Sequence, residues 1–522
     1  MATVAMRLIE GLAERGVNVV FGIPGVHTVE LYRGLAGSPV RHVTARHEQG
    51  AAFMADGYAR VTGRPGVAFV ITGPGLTNAL TAMAQARADS VPMLVVSGVN
   101  RRDSLGQGFG LLHELPDQAG MVRALCPTLQ VTAPEMLAPV LDRAFALMLE
   151  GRPGPVHIEV PTDVMALQAG ALPPALPRAL HEPDAGAVAE AVARLNAAQR
   201  VVILAGGGTK AAAAVLTALA ERLDAPVVQT VNARGVMFGH RLGVPASPSL
   251  DAVRDLIAGA DCVLAVGTEL GPTDYDMYAR GGFPDVSGMI RIDLCAEQLA
   301  RHPAAVRIQA DAGLALAALT EVQPRQADGP ARAKAARHAA RAELAGLHPA
   351  MTGQLEIVEA MRDALPGAIF VGDSTQPVYA ANLYYDHDRA GGWFNAATGY
   401  GALGFGPGAA IGAALGAPGV PVVCLIGDGG LQFSAAELRT ARDEALPITF
   451  VVWNNAGYRE IAEAMAGAGA QVIGCDPSPL ELAPFAKACG LPFVSLLPDP
   501  NALRAAMQPP QSGPRLIELR AS

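Results

Sequence analysis

Short apolar runs recur along the chain, and longer stretches with apolar positions at helical spacing separate them. Runs of three to seven residues, many of them bounded by glycine or proline, read as strands buried on both faces of a parallel sheet. Three such blocks are predicted. The first, residues 1–165, opens with an amphipathic helix over 1–16. Its strands are expected at 19–21, 41–44, 66–72, 93–97 and 156–160. The second, 185–320, has strands at 201–204, 226–229, 262–266 and 289–292. The third, 350–522, has strands at 368–371, 420–426, 448–453 and 515–519. Alternating strands and helices give the α/β class, here three doubly wound parallel-sheet domains. A proline-rich linker (171–184) and an Ala/Arg/Lys-rich segment that reads as a solvated helix (323–347) divide them.

Composition narrows the function. A chain of 522 residues exceeds one core. A net charge of -9 argues against a nucleic-acid surface. Six scattered cysteines with no CxxC pair point to reduced thiols and a cytoplasmic setting. The start lacks the basic and apolar pattern of a signal peptide. The most apolar stretch, 409–426, is broken by Pro418, Pro421 and several glycines, so no membrane span is expected.

The chemistry concentrates at the ends of two predicted strands. The run 420–426 ends in Gly427-Asp428-Gly429-Gly430, and a helix is expected from about 435 to 444. The next run ends in Asn454-Asn455, followed by Ala456-Gly457-Tyr458. In a βαβ unit both loops fall at the carboxyl edge of the sheet, where ligands bind. Side-chain oxygens of Asp428 and Asn455, with the Gly457 carbonyl, suit a diphosphate-bound Mg²⁺. Amides after Gly430 can meet phosphate.

Three further segments share this logic. The motif 45–60 (ARHEQGAAFMADGYAR) puts Glu48 at a helix start after a strand. Gly73-Pro74-Gly75-Leu76-Thr77-Asn78 follows another strand. The segment 397–406 is rich in glycine and carries Leu403. In this order the motifs resemble the thiamine diphosphate-dependent enzymes of the acetolactate synthase and 2-oxo acid decarboxylase group.

That resemblance implies a pyrimidine-binding first domain, a middle domain and a diphosphate-binding third domain. It implies a cofactor site between two subunits, hence a homodimer or homotetramer. Glu48 takes the place of the catalytic glutamate, whose carboxyl contacts the pyrimidine N1′ and promotes loss of the C2 proton. Gly25, Pro74, Asn78, Gly401, Gly427, Asp428, Gly429, Gly430, Asn455, Gly457 and Tyr458 fall at cofactor-binding positions. Leu403 aligns with the apolar wedge that bends the cofactor.

Segments 21–32 and 112–118 look closest to the branch that decarboxylates 5-guanidino-2-oxopentanoate (2-ketoarginine). His27 and His113 are expected to hold the substrate carboxylate or deliver a proton. Glu114, Asp117, Glu460 and Glu463 are carboxylates that could pair with a cationic tail. The alternative is an acetolactate synthase-like carboligase acting on pyruvate. The Arg-Phe-Asp-Asp-Arg pattern of FAD-binding members is replaced by 268–274 (TELGPTD), which argues against FAD. A dehydrogenase reading fails because no GxGxxG stands at the first βα turn. Intact Glu48, Asp428 and Asn455 argue against a non-catalytic paralogue.

Overall fold

A computed structural model gives the fold and describes residues 2–277, 282–509 and 512–521. Three six-stranded sheets form three α/β domains, and every strand pair is parallel. The first contains β1 (Val19–Gly22), β2 (Arg41–Thr44), β3 (Gly66–Val70), β4 (Met93–Val99), β5 (Thr128–Gln130) and β6 (Pro155–Pro161). The second contains β7 (Val201–Ala205), β8 (Val227–Gln229), β9 (Gly243–Val244), β10 (Cys262–Val266), β11 (Ile290–Asp293) and β12 (Val306–Gln309). The third contains β13 (Ile369–Gly372), β14 (Trp393–Asn395), β15 (Val422–Gly427), β16 (Ile448–Asn454), β17 (Phe493–Leu496) and β18 (Arg515–Arg520).

The first sheet has the order β2-β1-β3-β4-β6-β5 and the third β14-β13-β15-β16-β18-β17. Counted within each sheet these are the same order. The strand sequence reverses between β1 and β3, and again between β13 and β15. Crevices at such reversals, beyond the strand carboxyl ends, take ligands. The middle sheet runs β12-β11-β10-β7-β8-β9, the dinucleotide-fold order read from its far edge.

Five strands escaped the sequence pattern: β5, β9, β12, β14 and β17. All five lie at a sheet edge, and β5, β9 and β14 are also only two or three residues long. In β12 buried and exposed residues alternate, unlike the unbroken apolar runs inside the sheet. The helix expected from about 435 to 444 is Glu437–Asp443, and a further short helix, Asp428–Gln432, precedes it. The solvated-helix expectation for 323–347 needs correction. The helix Gly329–Leu347 buries Ala333, Ala336, Ala340 and Leu344, whose three- and four-residue spacing puts them on one face. They join a core shared by the middle and third domains.

The first and third domains also share a core. Helices Glu48–Thr62 and Phe405–Gly416 cross there at very close range. A Cβ on Gly57 would lie 1.9 Å from the Ala409 carbonyl oxygen, and one on Gly412 1.9 Å from that of Met54. Only glycine permits that approach. The crossing fixes the helix that begins at Glu48 against the domain that holds Asp428. All six cysteines are free. Among the described residues no helix is long and apolar enough to cross a membrane.

Candidate active site

At the third-domain reversal three loops converge: 373–376 after β13, 427–430 after β15 and 455–458 after β16. Asp428 accepts from the backbone N–H of Asn455 at 3.4 Å (Oδ1) and of Gly457 at 3.1 Å (Oδ2). Burial pushes its carboxyl above the usual range. With its NH₂ facing Gln376 Oε1 at 3.1 Å, the Asn455 amide puts its oxygen 3.2 Å from Asp428 Oδ1 and 2.9 Å from the Gly457 carbonyl. Three oxygens with no proton between them repel, and a hard cation among them would turn that repulsion into attraction. The set comprises one carboxylate, one amide and one carbonyl. Elsewhere among the described residues no three His, Cys, Asp or Glu side chains gather at metal distance.

The backbone is shaped for this. Ala456 is held in the left-handed region at φ 57°, costly for a residue with a Cβ. Gly457 has φ 149°, and a Cβ there would meet the Cys475 carbonyl at 2.6 Å. Arg459 ties the loop down, donating to the carbonyls of Asn455 (3.0 Å) and Ala456 (2.9 Å) and to Asp476 (2.7 Å). A cleft of about 400 Å³ opens above, bordered by the 427–430 turn, Asn455, Gly457 and Tyr458. A Cβ on Gly429 would strike the Tyr458 ring at 2.6 Å, while Gly427 and Gly430 form the floor.

Gly401 and Leu403 reach the same cleft. Their loop is clamped by the first domain of the same chain. Gln85 accepts from Ala402 N (3.1 Å) and donates to the Ala396 carbonyl (3.3 Å), while Thr398 donates to Asp89 (2.9 Å). Asp89 is paired in turn with Arg60 (2.6 Å), whose other partner is Asp56 (2.5 Å). Arg60 lies 5.4 Å from the ring centres of both Phe394 and Phe405. Every charge in this buried group has a partner, the condition for burial.

The sequence reading missed Ser374, Thr375, Gln376 and Tyr379, which line the cleft. The signal was present: Gly372-Asp373 ends an apolar run just as Gly427-Asp428 does. Asp373 is fully buried and accepts from Gly406 N and Ser374 N, each at 2.8 Å. Burial pushes its carboxyl up to about 6.

A second cluster forms at the first-domain reversal. Glu48 opens its helix half-buried and accepts from Asn78 Nδ2 at 2.9 Å. Glu437 of the third domain accepts from the backbone N–H of Arg46 and His47, each at 3.0 Å, and so holds the turn before Glu48. Glu437 was also missed; nothing in its local sequence marks it. Pro74 is the exposed first residue of the helix Pro74–Ala88. Gly25 packs beside Ile71, where a Cβ would sit 2.5 Å from its Cδ1. His27 and His113 meet edge to face, ring centres 5.5 Å apart. Burial and the neighbouring His113 push the His27 imidazole below its usual value. His113 holds a left-handed φ of 61°. Beneath them Gln118 accepts from Gly73 N (2.8 Å) and donates to the Gly98 carbonyl and Glu159.

The four substrate-facing candidates separate. Glu114 accepts from Phe109 N and Leu111 N, and Asp117 caps the helix Gln118–Arg123 by accepting from Gly120 N. Those carboxylates have local work in holding a loop and a helix end. Glu460 borders the cleft, with its carboxyl pushed up by burial and by Glu463 one turn on. Glu463 is exposed and outside the cleft lining. None of the first-domain residues, Glu48 included, borders the third-domain cleft of the same chain.

Three family descriptions cover the chain: a thiamine pyrophosphate enzyme N-terminal TPP binding domain over 2–121, the central domain over 188–319 and the C-terminal TPP binding domain over 373–519. The chain belongs to the thiamine pyrophosphate enzymes. Thiamine pyrophosphate is the thiamine diphosphate of the motifs above, and both clusters fall within the two matched binding domains. Among relatives in this family, a "probable 2-ketoarginine decarboxylase" of Pseudomonas aeruginosa is 42% identical over 535 residues, covering 99% of this chain and 94% of the relative. The acetolactate synthase large subunit of Parasynechococcus marenigrum is 31% identical, over 86% of this chain and 76% of its own. The acetolactate synthase isozyme 1 large subunit of Escherichia coli is also 31% identical, over 86% and 81%.

Proposed function

We propose that this thiamine pyrophosphate enzyme carries out Mg²⁺-dependent, non-oxidative decarboxylation of a 2-oxo acid, with 5-guanidino-2-oxopentanoate as substrate. The observation that carries the metal–diphosphate reading is the convergence of Asp428 Oδ1, Asn455 Oδ1 and the Gly457 carbonyl, an oxygen set with no internal donor. Such a set suits Mg²⁺, which also takes phosphate oxygens and water. The substrate rests on likeness to the relative named for 2-ketoarginine and on a carboxylate, Glu460, at the cleft.

Bound thiamine diphosphate supplies a carbon nucleophile and an electron sink for the departing carboxylate. The chain's residues do the rest. Asp428, Asn455 and Gly457 hold the cation, and Gly427, Gly429, Gly430 and Tyr458 shape the diphosphate floor. Leu403, at the cleft on a loop clamped through Gln85 and Asp89, would supply apolar contact to the bound cofactor. Glu48, steadied by Asn78 at Oε2, offers Oε1 for the proton exchanged with the aminopyrimidine; Gly75 keeps that side open. His27, whose imidazole burial and the neighbouring ring hold below its usual value, accepts or returns a proton near the substrate carboxylate. Glu460 pairs with the guanidinium, whose charge offsets the burial that raises its carboxyl.

Since Glu48 borders no part of its own chain's cleft, the complete site takes Glu48 from one subunit and Asp428 from another. The working unit is then a homodimer or a homotetramer, and it acts in the cytoplasm. FAD is not expected, because residues 268–274 replace the pattern of FAD-binding members; Thr268 there is buried with its hydroxyl 2.9 Å from that of Tyr275. The acetolactate synthase relatives favour one other reading, carboligation of pyruvate.

A panel of 2-oxo acids with added thiamine diphosphate and Mg²⁺, products identified, separates the two. Release of CO₂ from 5-guanidino-2-oxopentanoate with the matching aldehyde is expected. Acetolactate from pyruvate, with no turnover of the guanidino acid, would replace the proposal with its alternative.

A further inference from the structure

The oxygen cluster exists only if the Asn455 amide faces one way. Its two ends have nearly the same shape, so packing alone does not choose between them. Hydrogen bonding does. Gln376 Oε1 lies 3.2 Å from Trp453 Nε1 and 3.1 Å from Asn455 Nδ2. An indole N–H can only donate. The Gln376 atom facing it is therefore the carbonyl oxygen. That oxygen has a second lone pair, which accepts from an Asn455 N–H. Asn455 thus spends its NH₂ on Gln376 and turns its oxygen toward Asp428 and Gly457.

The opposite orientation has its own attraction. Turned over, Asn455 would donate to Asp428 Oδ1 at 3.2 Å and to the Gly457 carbonyl at 2.9 Å. It would then face Gln376 oxygen to oxygen at 3.1 Å. Without the tryptophan, Gln376 could rotate its own amide and accommodate the turned-over asparagine. With the indole in place it cannot do so without losing that bond.

We propose that Trp453 and Gln376 form an orienting relay that holds Asn455 in its cation-binding orientation, with Gln376 as a positioning residue for the metal site. This rests on reading the cleft as a metal–diphosphate site. The physical effect is preorganisation. A site whose ligand is correctly turned only a fraction of the time binds more weakly by that fraction.

The test uses the full-length protein with saturating thiamine diphosphate and Mn²⁺ as the probe, free Mn²⁺ being read by electron paramagnetic resonance. Gln376→Leu and Trp453→Phe should each raise the Mn²⁺ dissociation constant about tenfold, the low end of what lost outer-shell partners cost a metal site. An Asn455→Asp background removes the choice, because both ends of a carboxylate are oxygens. There the same two substitutions should change Mn²⁺ affinity by less than about twofold. Equal weakening in both backgrounds, or none in either, would sink the relay. Melting of the metal-free variants reports any general loss of fold; the background-dependent contrast stands apart from it, and Trp453→Phe keeps an aromatic ring in place should Gln376→Leu melt early. If the unmutated protein binds no Mn²⁺ with thiamine diphosphate, the metal–diphosphate reading itself falls, a result distinct from normal binding that the variants leave untouched.

Discussion

The two clusters differ in how much of a site each builds alone. The third-domain cluster is nearly finished: Asp428 is buried, its acceptors are engaged, and three loops enclose a cleft. The first-domain cluster is an open edge, with Glu48 half-buried, Pro74 exposed and apolar Phe109 and Leu112 more than half exposed. One half is a container and the other a set of groups awaiting a surface. Yet both sit at the same reversal of the same strand order. The shared architecture sets where a ligand goes, and the loop residues set which part of it each domain takes.

Several measurements would break or sharpen this contrast. The largest effect is expected from Glu48→Gln, with turnover falling by about a hundredfold or more, the usual size for a lost acid–base group. Its thiamine diphosphate affinity, measured calorimetrically, should stay within about twofold of the unmutated protein. Asp428→Ala should do the reverse and weaken Mg²⁺-dependent cofactor binding by about 10–100-fold. Should Glu48→Gln abolish cofactor binding instead, the division of labour is wrong.

Mixing those two inactive variants tests whether the halves come from different subunits. A heterodimer would rebuild one intact site from two chains. An equimolar mixture allowed to exchange should recover about a quarter of full activity. No recovery despite demonstrated subunit exchange would return the site to a single chain.

Smaller effects are expected at the supports. Leu403→Ala should lower kcat about tenfold through looser positioning, with cofactor affinity changing less. At His27 the readout is pH dependence of stability. Its folded-state pKa lies below the ordinary 6.5, for burial and His113 both disfavour the charged ring. The stability it contributes is full above 6.5 and is lost as pH falls from there toward the lowered value. Thermal melts of His27→Gln should lose less between pH 7 and 5 than the unmutated protein. The ring is only partly buried, so the difference should be small; a steeper acid loss in the variant would contradict the sign.

The sequence pattern found all twelve strands that lie inside the three sheets and only one edge strand, β2. The reason is physical. An interior parallel strand is covered on both faces and reads as an unbroken apolar run, whereas an edge strand such as β12 meets water and alternates. The Asp428 and Asn455 motif was legible because glycine and short polar residues at strand ends are a local signature. Glu437 and Gln85 were not, because their partners are far along the chain. Glu437 reaches Arg46 and His47 across about 390 positions, and Gln85 reaches Ala402 across 317.

By itself, then, the sequence determined the class of fold, the interior of each sheet and the residue types at the strand ends, all of which follow from burial and backbone geometry over short spans. Tertiary structure alone decided which of those strand ends share a cleft. It also decided that Glu48 borders no part of the cleft that holds the Asp428 of its own chain, and that a tryptophan fixes an asparagine through a glutamine. These depend on how close two distant helices come, and glycines at 57 and 412 allow a crossing that no local pattern of polar and apolar residues encodes.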